Sequence, residues 1–148
     1  MDANDQVAFA VLNEIGIIAQ LSGAALEARL PDGMRLAQFR VLNHFARLGG
    51  ERSMVRLAGA FQVTKAAMTN TVGRLLERGH VAVRADPQDA RAKLVSATPA
   101  GLAARQAALA AMEEELARLR GEFPQEAWET ALPFLIRLRA WLDAVREA

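Results

Sequence analysis

The stretch that most constrains the fold is residues 53–101, where the apolar pattern changes twice. Apolar residues first recur at helical spacing, stop at Gln62-Val63, and resume from Lys65 at every third or fourth position. Gly79 ends this second pattern, and two short strand-like runs follow on either side of a polar tip. We therefore predict two helices joined by a tight turn and followed by a hairpin.

Three hydroxyl residues mark where helices should begin. Ser53 and Thr64 each precede a helical pattern, and their side chains can accept hydrogen bonds from unpaired N–H groups of the first turn. Thr98 is followed by Pro99, which is favoured at the first helical position. Helix starts are therefore predicted at these three places.

The second helix of the pair has a slim outer face. Its apolar residues, which should be buried, are Met68, Val72, Leu75 and Leu76. A helix that enters the major groove of DNA needs short side chains, so that its backbone comes close, and a few donors and cations that reach bases and phosphates. The residues that meet this description are Lys65, Thr69, Asn70 and Arg74.

The hairpin adds cations beside this helix, and the order of elements is that of a winged helix-turn-helix. Arg84, Arg91 and Lys93 lie along the hairpin, where a minor groove or its phosphates would lie. Asp86-Pro87 supplies turn chemistry, and Asp89 and Arg91 are predicted to pair across the tip and stiffen the wing.

Charge is unevenly distributed although the net charge is only +1. Residues 1–34 contain one basic and five acidic residues, residues 35–100 contain eleven and four, and residues 101–148 contain six and eight. The positive potential therefore coincides with the predicted winged-helix segment, as expected of a nucleic-acid-binding surface.

Helical patterns also flank this segment. Residues 5–29 are apolar on more than one face, Leu30-Pro31-Asp32-Gly33 should break the helix, and a core helix follows over Arg35–Arg47. After Thr98 we predict one long helix that ends near Gly121, and then a last helix with a kink or a restart after Pro133. The broad apolar faces of these flanking helices favour packing against another subunit.

Composition narrows the remaining possibilities. The chain has no cysteine, so disulfides, zinc fingers and thiol chemistry are excluded, and neither histidine has a carboxylate at metal-ligand spacing. We expect that the chain binds no metal and no cofactor and is not an enzyme, because the sequence contains no catalytic constellation and no phosphate-binding loop. Without an 18-residue apolar run or a basic leader, the chain is expected to be cytoplasmic and not associated with a membrane.

The segment 34–101 resembles the MarR family of bacterial winged-helix regulators. The resemblance is carried by LAQFRVLNHF, by LAGAFQVTKAAMTNTVGRLLERGHV, by the wing motif D-P-x-D-x-R, and by T-x-x-G at Thr98–Gly101. Several positions depart from the usual family residues, namely Gln62, Asn70, Gly73, His80 and Ala90. The resemblance implies a mainly α fold with a small β-hairpin wing, in one domain over residues 1–148.

The same resemblance implies how such a protein works. Residues 34–100 would form the DNA-binding lobe, and residues 5–30 and 101–147 would form dimerisation helices. The homodimer would repress transcription at a pseudo-palindromic operator in double-stranded DNA and be released by a small, aromatic or acidic ligand. The expected ligand-pocket residues are Ile17, Gln20, Phe39, Asn43 and His44.

Two other classes of function stay open on the sequence. A winged helix can serve as a protein-interaction module that does not bind duplex DNA. A ligand-binding or catalytic protein on the same scaffold would need a polar cavity beneath the lobe.

Overall fold

The computed structural model describes residues 2–147, which fold into helices and one small antiparallel sheet. The helices are α1 (Ala3–Glu27), α2 (Leu36–Leu48), α3 (Met54–Ala60), α4 (Lys65–Glu77), α5 (Pro99–Ala110), α6 (Glu113–Glu122) and α7 (Gln125–Glu147). The strands are β1 (Arg52–Ser53), β2 (Val81–Asp86) and β3 (Asp89–Ala97), and a 3-10 turn spans Pro31–Gly33. The predicted mainly helical fold with a hairpin wing is confirmed.

The three predicted hydroxyl caps are all present. Ser53 Oγ accepts the backbone N–H of Arg56 at 3.2 Å, and Thr64 Oγ1 accepts that of Ala67 at 3.1 Å. Thr98 Oγ1 accepts the N–H of Gly101 at 3.1 Å. Side-chain oxygens thus satisfy donors that the first helical turn leaves unpaired.

The sheet contains a strand that the sequence did not predict. Its order is β1-β3-β2, with Ser53 of β1 opposite Leu94 and Arg84 of β2 on the other side of the same residue. A two-residue strand carries no periodic pattern, so only the pairing in three dimensions reveals β1. The wing is therefore tied at its base to the chain that leads into α3.

A hydrophobic core joins α2, α3 and α4 to this sheet. Its most deeply buried side chains are Val41, Leu42, Leu57, Val72, Leu75 and Val95. Leu76 was predicted to be buried but is about half exposed, because it lies one residue beyond the α4 stripe formed by Met68, Val72 and Leu75. The core thus fixes the orientation of α4 relative to the wing.

The chain leaves the wing through a close backbone contact. The N–H of Thr98 donates to the carbonyl of His80 at 3.1 Å, and the Thr98 hydroxyl donates to the carbonyl of Gly79 at 2.6 Å. A Cβ at Gly101 would clash with the His80 carbonyl group and lie 3.0 Å from Leu42 Cδ2. The glycine of the T-x-x-G motif is therefore required by space, so that α5 can begin against the start of β2.

The C-terminal helices differ from the prediction in two respects. The single long helix is divided at Ala111-Met112, where the Met112 N–H bonds to the carbonyl of Leu109, three residues back, and the helical ladder tightens. Of the kink or restart predicted after Pro133, the restart is absent, because Pro133 lies inside one continuous helix. Proline removes a single N–H donor there, and the flanking turns keep their own bonds.

The helices at the two ends of the chain leave much apolar surface uncovered. Only Gly23 of α1 is buried and no residue of α6 or α7 is, while Phe9, Leu21 and Trp141 are each more than 60% exposed. By length and hydropathy alone, α1 could also cross a membrane. Its central residue Glu14 would be costly within a bilayer.

Candidate nucleic-acid interface

The four α4 residues predicted to contact DNA all lie on its solvent face. Met68, Val72 and Leu75 hold the opposite face in the core. The four are Lys65, Thr69, Asn70 and Arg74, and each is exposed. Because they are spaced at i, i+4 in two neighbouring rows, they form one surface along the helix.

The first row faces the wing. Lys65 and Thr69 line a groove of about 610 Å³ whose other wall carries Arg91 and Lys93 of β3. Ser53 and Val55 close the base of this groove. Two cations from the wing and one from α4 thus line one groove, together with the wing carboxylates Asp86 and Asp89, although α4 and the wing are separate in sequence.

The second row faces the start of α2. Asn70 and Arg74 line a smaller depression of about 340 Å³ together with Arg35 and Gln38. Arg35 is an exposed cation at the N-cap of α2, and it makes a 3.0 Å ion pair with Glu27. The sequence pattern did not predict its place here, since only the packing of α2 on α4 brings Arg35 beside Arg74.

Most of these cations are not engaged within the protein. Among the ion pairs formed by residues 2–147, none involves Lys65, Arg74, Arg91 or Lys93. A cation without a protein partner keeps its full charge for an external anion. The surface therefore presents four available positive charges drawn from α4 and the wing.

The wing tip is shaped by its two aspartates. Asp86 Oδ1 accepts the N–H of Gln88 at 2.9 Å, and Asp89 Oδ1 accepts the N–H of Arg91 at 3.0 Å. The ion pair predicted between Asp89 and Arg91 across the tip is absent from the described residues: Asp89 instead accepts the backbone N–H of Arg91, two residues further along β3. The register also shifts between Ala85 and Asp86, so the tip bulges on the β3 side.

Arg84 behaves differently from the other predicted DNA contacts. Its Nε and Nη2 donate to Glu51 Oε1 and Oε2 at 2.8 and 2.7 Å, which is a bidentate ion pair. The hydrogen bond from Arg84 lowers the pKa of the Glu51 carboxyl, and the same contact raises the pKa of Arg84. Both groups therefore stay charged, and the Arg84 guanidinium is already paired with the Glu51 carboxylate.

The five residues predicted for a ligand pocket are not gathered around one groove. Phe39 is buried in the core, and Asn43 Oδ1 accepts the Nε–H of Arg105 at 2.9 Å. Ile17 and Gln20 are exposed on α1, and none of the five lines any of the grooves described here. Their role stays a prediction.

His44 packs in an aromatic corner instead. Its ring centroid lies 5.3 Å from that of Phe61 and 5.9 Å from that of Phe45. Burial lowers the pKa of His44, the positive charges of Arg47 and Arg52 lower it further, and Asp143 of α7 opposes them. The neutral ring is thus favoured at this junction of α2 with the helix-turn-helix and α7.

The second helix of the helix-turn-helix is flanked by a cationic hairpin. This arrangement defines the winged helix-turn-helix proteins, and the chain is one of them. The sequence profile of the MarR family matches residues 32–92. A comparison with curated protein sequences found no match.

Solved structures extend the similarity beyond the lobe. The chain is 28% identical to the transcriptional regulator BldR of Sulfolobus solfataricus, with a TM-score of 0.67 over 93% of this chain and 99% of BldR. It is 25% identical to apo MarR of E. coli, with a TM-score of 0.72 over 85% and 93% of the two chains. It is 27% identical to BpsR of Bordetella bronchiseptica, with a TM-score of 0.65 over 87% and 98%. Residues 32–92 of this chain are therefore similar to the MarR family of transcriptional regulators, and the whole chain has the fold of the solved MarR structure.

Proposed function

We propose that the protein is a homodimeric transcriptional repressor that occludes a promoter by binding a pseudo-palindromic operator. The observation that carries this proposal is the set of unpaired cations on α4 and the wing, which two separate elements direct to one side of the lobe. The regulators that resemble this chain over nearly their whole length support it.

In this proposal α4 enters the major groove. Thr69 and Asn70 are short enough to let the helix backbone approach the base edges, and an asparagine amide can pair with adenine. Lys65 and Arg74 stand at either end of the exposed face and would bind phosphates or a guanine edge. The helix would supply the sequence preference of the protein.

The wing would hold the adjacent minor groove or its phosphates. Arg91 and Lys93 are exposed on β3, on the same side as Lys65. Contacts of this kind fix the register of a protein on DNA and add salt-dependent affinity.

A second copy of the chain would cover the apolar arms. The exposed apolar residues of α1, α6 and α7 are numerous and are not scattered singly over the surface. They include a groove lined by Leu116, Leu119, Phe123 and Trp128. Glu14 in α1 favours a protein partner over a bilayer, because a carboxylate at mid-membrane is costly. We accordingly place the dimer in the cytoplasm, with its operator.

Two measurements test this proposal. Random duplex DNA is incubated with the purified protein, bound fragments are enriched and sequenced, and the consensus is used in a gel shift at moderate salt. We expect a palindromic consensus and a retarded complex. A protein that retards no duplex would instead support the protein-interaction module.

The dimer is tested separately by light scattering on the free protein. The expected mass is twice the 16.0 kDa of one chain. A monomeric mass at micromolar concentration, or partition into lipid vesicles, would contradict the dimer proposal.

We also propose that a small aromatic acid releases the DNA. DNA binding by BpsR is regulated by 6-hydroxynicotinic acid. In this chain a groove of about 240 Å³ lies between α1, α2 and α6, with an apolar lining and two arginines, Arg29 and Arg40, at its polar side. Arg29 is paired with Glu115 at 2.9 Å, whereas Arg40 forms no ion pair among the described residues, so Arg40 is the better carboxylate partner.

The ligand proposal is tested with 6-hydroxynicotinic acid as a probe aromatic acid. Adding the probe should weaken duplex binding by the wild type and leave the Arg40→Ala variant unaffected, with Arg47→Ala, on the same helix, as the control. An equal response of Arg40→Ala and wild type would contradict this site. No response of the wild type would remove the proposal for this ligand class.

A further inference from the structure

Arg84 and Glu51 form a contact that joins two separate parts of the lobe. Arg84 lies on the outer strand β2 of the wing, whereas Glu51 lies just before β1 at the opposite edge of the sheet. Strands in a sheet are about 4.8 Å apart, so the two backbones are separated by about 10 Å across β3. Both side chains must extend over β3 to meet.

The contact has the geometry of a specific ion pair. Both oxygens of the carboxylate are used, at 2.8 Å by Nε and 2.7 Å by Nη2 of the guanidinium. A bidentate arginine–carboxylate pair restricts direction as well as distance, which a single contact does not. Although exposed pairs contribute little to global stability, a pair of this geometry can still select one orientation of a hairpin.

The loop that carries Glu51 is itself held. Gly49 and Gly50, which follow α2, both have positive φ angles, of 64° and 68°, and turn the chain towards β1. Arg52 Nη1 donates to the carbonyl of Glu51 at 2.7 Å. Glu51 therefore follows directly on the turn at the end of α2, and α2 and α4 share one hydrophobic core.

The wing needs an anchor beyond its base. The hydrogen-bonded register of β2 and β3 is regular from Val81 to Ala85 and shifts at Asp86, so the tip is not held by regular pairing. β1 pairs with β3 only at Val95 and Leu94. The Arg84–Glu51 pair ties the strand that β1 does not touch, at the last regular part of the hairpin.

We propose that Arg84 is a positioning residue that sets the angle of the wing relative to α4 through Glu51, and not a phosphate contact. This proposal rests on the proposed DNA-binding function. It leaves Arg91 and Lys93 as the wing residues that contact DNA, and it replaces the prediction that Arg84 binds DNA directly. The pair would hold Arg91 and Lys93 at the distance from Lys65 that a single duplex requires.

Whether Arg84 binds a phosphate or positions the wing can be decided with one variant, because the two roles predict opposite changes in its affinity for duplex DNA. Glu51→Gln removes a negative charge near the DNA and frees Arg84. If Arg84 binds a phosphate, the affinity for duplex DNA should rise. If Arg84 positions the wing, Glu51→Gln should lower the affinity by about 2- to 10-fold, as should Arg84→Ala.

The experiment measures fluorescence anisotropy of a labelled duplex selected by the wild-type protein, for Glu51→Gln, Arg84→Ala and the double variant. We expect both single variants to bind more weakly and the double variant to be no weaker than Arg84→Ala, because the two residues act through one contact. Glu77→Gln, which removes an exposed carboxylate at the end of α4, is the matched control and should bind at least as tightly as the wild type. Tighter binding by Glu51→Gln, or additive losses, would overturn the proposal.

Hydrogen exchange of the free protein provides a readout that does not need DNA. Both Glu51→Gln and Arg84→Ala should speed exchange of the β2 amides while leaving the core amides of α2 and α4 unchanged. Unchanged exchange in β2 would overturn the proposal even if the DNA affinity falls. If the wild type binds no duplex, the proposed function fails, whereas the exchange data still decide whether the pair holds the wing.

Discussion

Gln62 is a residue in a conformation that its side chain disfavours. Its φ is 53°, in the left-handed region, at the tight turn between α3 and α4. For a residue with a Cβ this conformation costs roughly 1–2 kcal/mol. The side chain recovers part of this cost, because its Nε2 donates to the carbonyl of Gly59 at 2.7 Å.

Gln62→Gly should therefore stabilise the fold by about 0.5–1 kcal/mol, since relief of strain exceeds the lost exposed hydrogen bond and the greater chain entropy of glycine. Urea unfolding of the variant and the wild type gives this difference. Gln62→Ala is the control, because it keeps the strained backbone without the hydrogen bond and should be less stable than the wild type. A Gln62→Gly variant less stable than the wild type would contradict the assigned strain.

Gly101 shows the opposite situation, in which only glycine fits. Gly101→Ala would press a methyl group into the carbonyl of His80 and force α5 away from the wing. Overpacking of this kind costs about 1–3 kcal/mol or more, so the melting temperature should fall. Gly73→Ala on α4 is the control, because a Cβ there meets open space and should raise stability by up to about 1 kcal/mol. Equal effects of the two substitutions would refute the steric argument.

His44 makes stability depend on pH. Burial, and then Arg47 and Arg52, lower its pKa below the ordinary value of 6.5, while Asp143 works in the other direction. The unfolded chain therefore binds the proton more readily, and the free energy of unfolding should fall as the pH falls through 6.5 towards the lowered pKa. Above pH 6.5 this contribution is constant.

The comparison of wild type with His44→Phe isolates this effect. Phenylalanine keeps a ring beside Phe61 but cannot be protonated. Between pH 7.5 and pH 5.5, urea unfolding should show a smaller loss of stability for the variant than for the wild type. Both proteins retain His80. An identical loss in the two proteins would contradict the role of His44.

Among the elements, substitutions in α4 are the most informative test of the proposed DNA interface. Arg74→Ala removes an exposed cation that makes no ion pair within residues 2–147, so folding should be unchanged while duplex affinity falls. Arg91→Ala on the wing should also make the salt slope of the affinity shallower by about one unit per protomer. Arg118→Ala on α6 is the control for loss of an arginine, and gel shifts with a selected duplex measure all three. Unchanged binding by Arg74→Ala would refute its assignment.

The elements that were predicted correctly carry local signals. Ser53, Thr64 and Thr98 announce helix starts in the sequence itself, and the spacing of Met68, Val72 and Leu75 shows which face of α4 is outward. These signals involve neighbours within a few residues. They place α4 and the wing before any tertiary contact is known.

The features that were missed depend on distant contacts. β1 exists only because Arg52 and Ser53 meet β3, and Arg84 is occupied only because the double glycine at 49–50 directs Glu51 over the sheet. Arg35 reaches the α4 surface only through the packing of α2. Residue types alone therefore suggest that Arg84 contacts DNA, whereas the fold shows that its guanidinium is paired with Glu51.

At the scale of the whole molecule, charge and apolar surface are separated. The lobe carries the basic excess of residues 35–100, and the acidic ends of the chain carry most of the exposed large apolar residues. In the proposed dimer the apolar arms meet each other, and two lobes present their α4 helices to successive major grooves. In this proposal, the separation would allow one small chain to dimerise through one surface and to bind DNA through another.

The salt dependence of duplex binding tests whether the cations of α4 and the wing bind DNA. If each protomer places Lys65, Arg74, Arg91 and Lys93 on phosphates, the logarithm of the association constant of the dimer should fall linearly with the logarithm of salt concentration, with a slope near about −7. Fewer phosphate contacts would make the slope shallower but still clearly negative. Fluorescence titrations of a selected duplex between low and physiological salt give the slope. A slope near zero, or the absence of binding at low salt, would contradict the assignment of this surface to DNA.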